Sequence, residues 1–113
     1  MVIHWKNSRL QKDLENQKYL QQRLGQKWFI SVVRRLSEIK AANNYTEIPI
    51  SSGKHVLHSN KLSNLPFYAV DIPTWPDGRG KMRIIFQPHN SDFDKNDLKT
   101  MQEILIVELS DYH

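Results

Sequence analysis

A chain of 113 residues, 39% of them hydrophobic, makes one small domain, 1–113, with a packed core and no room for a second. It contains no cysteine, which excludes disulfide staples and thiolate metal sites and fits a reducing compartment. The net charge of +4 is uneven: residues 1–61 carry eleven Lys/Arg against four Asp/Glu, and residues 62–113 carry five against eight. The basic half suits a polyanionic partner, although a solvated helical surface is the commoner meaning of such a pattern.

Residues 1–10 lack the apolar stretch of a secretory leader, and the longest apolar run, Ile104-Leu105-Ile106-Val107, is far too short to span a bilayer. A cytoplasmic protein with no membrane partner is expected. Val2-Ile3-His4-Trp5 reads as a first strand. Asn7 and Ser8 are good helix N-caps, and Leu10, Leu14, Leu20 and Leu24 give the helix that follows an apolar stripe, interrupted at Gln17. Gly25 ends it. Phe29, Val32, Val33, Leu36 and Ile39 then predict a second helix over about 26–42, with Trp28 flanking the stripe as core and Arg34, Arg35 and Lys40 largely elsewhere.

Residues 43–53 are rich in Asn, Ser and Thr and read as a loop, continued by the polar stretch that holds His55 and His58. Those two histidines are three apart, but without a helix or a nearby third ligand they make a poor metal site. Phe67–Ile72 and Met82–Gln87 are strands by β-propensity, joined by a turn-rich tip, 73–81, containing Asp77-Gly78. Arg83 is a cation inside the second of them. Residues 89–100 form an acidic surface connection. Asp92-Phe93-Asp94 opens like a calcium loop, yet Asp97 stands where such a loop needs glycine. Ile104–Leu109 is the last strand. The order strand-helix-helix-strand-strand-strand predicts an α+β fold: an antiparallel sheet with a two-helix hairpin on one face and the other face open to a ligand.

The strand that ends the chain leads to Asp111, Tyr112 and His113. Brought together with His58, Lys61 and Arg83 on the open face, they would form a site rich in imidazoles and cations, with no metal cluster. Such a set suits metal-free phosphodiester transfer: a base takes the ribose 2′-proton, cations stabilise the charged phosphorane, and an acid protonates the leaving 5′-oxygen. Histidine can serve both proton roles. Tyr112 would rather donate a hydrogen bond or stack on a base, while Lys61 and Arg83 would hold phosphate. Taken singly, a histidine in a loop or at a chain end is more often an idle polar group.

The same residues resemble the RelE/ParE toxin superfamily, in particular its HigB-like plasmid-maintenance killer branch. Leu57-His58 with Lys61 resembles the L-H-x-x-K loop of that branch. Gly25 and the Phe29–Ile39 stripe look like its second helix, and Phe67-Tyr68-Ala69-Val70 like its aromatic strand. Met82-Arg83-Ile84-Ile85-Phe86-Gln87-Pro88 resembles its R-[IL]-x-F-[EQ]-P strand, and Ile106 to His113 its terminal V-E-[IVL]-x-D-Y-H. The resemblance implies a RelE-like fold and the toxin of a type II toxin–antitoxin pair, a ribosome-dependent mRNA endonuclease (mRNA interferase) that inhibits translation. It assigns catalysis to His58, Asp111, Tyr112 and His113 and phosphate or RNA binding to Lys61 and Arg83, with no metal and no cofactor. It further implies a HigA-like helix-turn-helix antitoxin, the ribosomal A site with its 16S rRNA and mRNA as targets, and operator DNA only through the antitoxin complex. Two alternatives remain from the same fold: a non-enzymatic ParE-like poison of DNA gyrase, and an inactive binding or regulatory relative.

Overall fold

The computed structural model describes all residues except 17, 19–21, 23–25, 50–53, 58–66, 74–79 and 112–113; for 26–28, 55, 57, 73, 80, 81, 110 and 111 it describes the backbone alone. The fold is α+β. A five-stranded sheet has the order β1-β5-β4-β3-β2, with β1 at Val2–Trp5, β2 at Lys54–Leu57, β3 at Phe67–Pro73, β4 at Gly80–Pro88 and β5 at Glu103–Asp111. Helices α1 (Ser8–Glu15) and α2 (Gln26–Ala41) contribute to a single core on one face of that sheet. No helix among the described residues is long and apolar enough to cross a membrane.

Two features correct the expected sheet. Lys54–Leu57, read as part of a polar loop, is an edge strand antiparallel to β3, with Val56↔Tyr68 in register. A four-residue strand carrying Lys and His gives a weak sequence signal because edge strands are kept short and charged. The sheet is also mixed. β1 runs parallel to β5, pairing Ile3 with Ile104 and Trp5 with Ile106, while every other pairing is antiparallel. Parallel neighbours need a long crossover. Here nearly the whole chain intervenes: the helices carry it from the β1 edge to the β2 edge, and the meander returns it to β5.

Asn7 caps α1 as expected, its Oδ1 accepting from the Leu10 N–H at 2.8 Å. The helix is shorter than the leucine stripe suggests, because Asn16 is extended (φ −84°, ψ 100°) and closes it. Leu20, Leu24 and the break at Gly25 lie outside the described residues. In α2 the buried residues are Phe29, Val32, Leu36 and Ile39, whereas Val33 is 43% exposed and Ile30 54%. The helix is thus rolled away from Val33, and the side chain buried instead is Arg35, at 7% exposure. The side chain of Trp28 lies outside the described set.

The core joins Leu14 and the α2 residues to Tyr68, Val70, Ile72, Ile84, Phe86, Ile104 and Ile106, every second residue of the strands. Tyr45, in a short 3-10 turn after α2, stacks into it with its ring 5.0 Å from Tyr68. Burial raises the pKa of both phenols, and for Tyr45 the neighbouring Tyr68 adds to the shift. The Met1 ammonium donates to the carbonyls of Ile39, Lys40 and Ala42, placing a cation at the negative end of α2. Desolvation lowers its pKa, with Glu47 acting in the other direction.

The acidic connection 89–100 is knitted together by its own side chains. Asn90 Nδ2 donates to Asp92 Oδ1 and the Thr100 carbonyl, and Asn90 Oδ1 accepts from the N–H groups of Gln102 and Glu103. Asp94 and Asp97 accept from the N–H groups of Asn96 and Lys99. These carboxylates are turn-forming groups, and Phe93 and Leu98 pack their apolar side chains against the core.

Candidate functional site

Arg83 is the one proposed site residue whose side chain is described. On β4 it alternates with Met82, Ile84 and Phe86, which face the core, so it projects from the sheet face opposite the helices. Its Nε lies 3.2 Å from Oδ1 of Asp71 on β3, directly across the ladder, and both side chains are 23% exposed. Across the other ladder its partner is Ser110 on β5, with Asp111 one place further, opposite Met82. Asp71, Arg83 and Ser110 therefore form one row over three adjacent strands, roughly 10 Å wide at ordinary strand spacing.

His58, Lys61, Tyr112 and His113 lie outside the described residues, and Asp111 is described in its backbone alone. The structure brings together Arg83 and the stretch of β5 that leads into Tyr112 and His113. His55 lies on β2 with its backbone opposite Ala69, and its pairing with His58 as a metal site falls outside the described side chains. Among the described residues no group of three or more His, Asp or Glu side chains is arranged to hold a metal ion.

Two groups near this row were not singled out from the sequence. Asp71 lies within the aromatic-rich strand β3, and only the cross-strand register reveals its pairing with a cation twelve residues on. Arg35 reads from the sequence as lying largely off the apolar stripe of α2. It donates from Nε to the backbone carbonyl of Asp71 at 2.8 Å and from Nη1 to Glu38 at 2.9 Å. The bond to Asp71 ties α2 to β3 at the residue that follows the pairing Lys54↔Val70. The spacing of Arg35 and Glu38, three apart on one helix, was the available signal.

A second polar cluster sits at the other end of the same sheet face. His4 Nε2 is 2.9 Å from Glu103 Oε1, and the His4 and His89 rings are 4.1 Å apart between centroids, tilted by 39°. The His4 and Glu103 side chains are more than a third exposed.

No family model matches the chain, and no curated protein or solved structure was found to match it. The chemistry must therefore be read from the site. A guanidinium offers five N–H donors in a planar fork that fits a phosphate or carboxylate in two parallel bonds. Held on the sheet face opposite the helices beside a partly exposed carboxylate, this group has the donors for an anion and no proton-transfer role itself.

Proposed function

We propose that the chain is a RelE-like, HigB-like toxin of a type II toxin–antitoxin pair, acting as a ribosome-dependent mRNA endonuclease. The observation that supports this reading best is the row Asp71–Arg83–Ser110, which sets a guanidinium, a group suited to phosphate, beside the strand that leads to Tyr112 and His113. In the proposed reaction an imidazole, His58 or His113, takes the proton of a ribose 2′-hydroxyl. The 2′-oxygen bonds to phosphorus, and the phosphorus–5′-oxygen bond breaks as the second imidazole protonates the leaving oxygen. A 2′,3′-cyclic phosphate and a free 5′-hydroxyl result. Arg83 and Lys61 stabilise the charge that builds on the phosphoryl oxygens, Tyr112 hydrogen-bonds or stacks on the base, and Asp111 orients the histidine side of the site. No metal or cofactor takes part. The antitoxin would be a HigA-like helix-turn-helix protein, through which the pair would bind operator DNA.

The test is cleavage of a defined mRNA by the purified protein, with and without programmed ribosomes, against protein lacking His113 and against His58→Ala. Cuts within the A-site codon that require both the ribosome and the two histidines are expected. Growth arrest on expression with no cutting, and with both histidines dispensable, would overturn the nuclease reading in favour of a gyrase poison.

A further inference from the structure

We infer that Lys6, Arg9 and Lys12 form a docking strip for the phosphate backbone of a folded RNA, on the helix side of the molecule. The identity of that RNA rests on the nuclease reading, under which it is the ribosomal RNA around the mRNA. The strip itself rests on observations which that reading does not use. All three side chains are exposed. Arg9 and Lys12 lie three apart on α1, turned away from Leu10 and Leu14 and about 4.5 Å apart along the helix axis. Lys6 precedes the Asn7 cap, and its backbone N–H is fixed to the Ile106 carbonyl at 3.0 Å. Among the described residues none of the three cationic groups has an ion-paired or hydrogen-bonded partner. Of the two acids of α1, Glu15 lies 3.7 Å from Lys40, and neither pairs with Arg9 or Lys12.

Two of these cations work against the helix they adjoin. α1 has no acid in its first turn; Arg9 stands there instead, and Lys6 lies just ahead of it. The positive end of the helix dipole repels a cation at those positions and favours a carboxylate. A merely solvated surface gains nothing from that arrangement, whereas a polyanion does. Each Lys or Arg that meets a phosphate releases a counterion, and the gain adds along the strip.

The neighbours select a nucleic acid over a protein. The exposed side chains over 6–12 are Lys6, Asn7, Ser8, Arg9, Gln11 and Lys12. Every one is of a type that donates hydrogen bonds to phosphate oxygens, and none supplies the apolar centre of a protein interface. The strip lies beyond the helices, while Arg83 projects from the other sheet face. One short strand cannot reach both, but a folded RNA that surrounds the protein can.

The test is fluorescence anisotropy of a fluorescein-labelled RNA hairpin with an uninterrupted stem, titrated over about 50–200 mM salt. Lys6→Gln/Arg9→Gln should weaken binding about tenfold at the low end and reduce the slope of log affinity against log salt by about two; adding Lys12→Gln should remove about one more. Lys95→Gln/Lys99→Gln removes the same number of exposed charges from the acidic connection and should leave the slope within about 0.5 of native. Melting temperature should be unchanged or higher in Lys6→Gln/Arg9→Gln, since the dipole no longer opposes a cation. The charge-preserving Lys6→Arg/Arg9→Lys should bind like the native protein. An unchanged slope in Lys6→Gln/Arg9→Gln, an equal loss in the two double variants, a loss in the charge-preserving variant, or no hairpin binding by the native protein would each overturn the inference. A native protein that binds the hairpin through the strip but cuts no mRNA on programmed ribosomes sinks the nuclease reading alone. The strip then stands as an RNA contact with another purpose.

Discussion

Replacing Arg35 by alanine tests how firmly the helix layer is tied to the sheet at Asp71. The substitution removes two stem methylenes from a side chain that is 7% exposed, a loss of about 1.5 kcal/mol at roughly 0.8 kcal/mol per buried methylene. It also removes the charged hydrogen bond that the Asp71 carbonyl accepts from Nε at 2.8 Å, worth about 1–2 kcal/mol. Glu38 loses its bidentate contact at 2.9 and 3.2 Å but is 21% exposed and can turn to water, so the broken pair adds about 1 kcal/mol, well below a fully buried one. The expected destabilisation is about 4 kcal/mol, read as the shift of the urea unfolding midpoint with unchanged slope. Arg35→Met, which retains the stem, should cost about 2–3 kcal/mol because the polar losses remain. An Arg35→Ala protein within about 1 kcal/mol of the native one would refute the tie between α2 and β3.

Other consequences are sharper in kind than in size. Phe86, fully buried between Tyr45 and Tyr68, should cost about 3–5 kcal/mol on substitution by alanine in the same unfolding assay. Asn90→Ala should cost about 2 kcal/mol, since one side chain serves Asp92, Thr100, Gln102 and Glu103; a neutral result would show the connection to be held by Phe93 and Leu98 alone. Burial favours the neutral phenols of Tyr45 and Tyr68, so their folded pKa values lie above those of the unfolded chain. Their contribution to stability is complete below about pH 10 and is lost as pH rises through the folded values. Tyrosinate absorbance should show these two ionising only with alkaline unfolding, and early, reversible ionisation of all four tyrosines would contradict the packing. Glu103→Gln should change stability by less than about 1 kcal/mol despite the 2.9 Å contact with His4, because both side chains are over a third exposed and solvent screens the pair.

Sequence patterning made the helices, their shared face and four of the five strands readable, since apolar and β-prone residues at helical or alternating spacing have few other ways to be buried. It put Val33 in the Phe29–Ile39 stripe and Arg35 off it, the reverse of their burial, and what the arginine meets is a carbonyl on a strand thirty-six residues away. The parallel pairing of β1 left no trace because a short apolar strand fits either direction on an edge. Met101 and Tyr45 belong to the core from inside polar stretches, where burial follows from side-chain-capped turns with no periodic signal. At the candidate site the cation was legible as a charge inside a strand. Its partner Asp71 was not, because the register between two strands six residues apart in sequence, with a shift between Ile72 and Pro73, is a tertiary fact.

One register feature of β5 was written in the sequence. Strict alternation from Ile104 and Ile106 would send Glu108 into the core and Leu109 to the open face. Instead β5 shifts by one residue between its pairings Phe86↔Ile106 and Ile85↔Glu108, leaving Val107 as the extra residue of a bulge. Leu109 then falls opposite Ile84 on the core face, and Ser110 opposite Arg83. Deleting Val107 would leave a regular ladder with those same pairs, so the fold should survive with a stability change under about 1 kcal/mol. Deleting Leu105 removes a residue from the stretch paired with β1 and β4 at once and must throw Ile104 or Ile106 out of the core, costing about 2–5 kcal/mol. What the Val107 deletion does change is the local bend and twist that a bulge imparts to the end of the strand, and with it the direction in which β5 runs on from Ser110. A Val107-deleted protein that unfolds like the native one but lacks the proposed mRNA cleavage shown by the native one would place the purpose of the bulge in aiming the end of β5. One that is as unstable as the Leu105 deletion would show that the register beyond Ile106 is not set by the phase of Glu108 and Leu109.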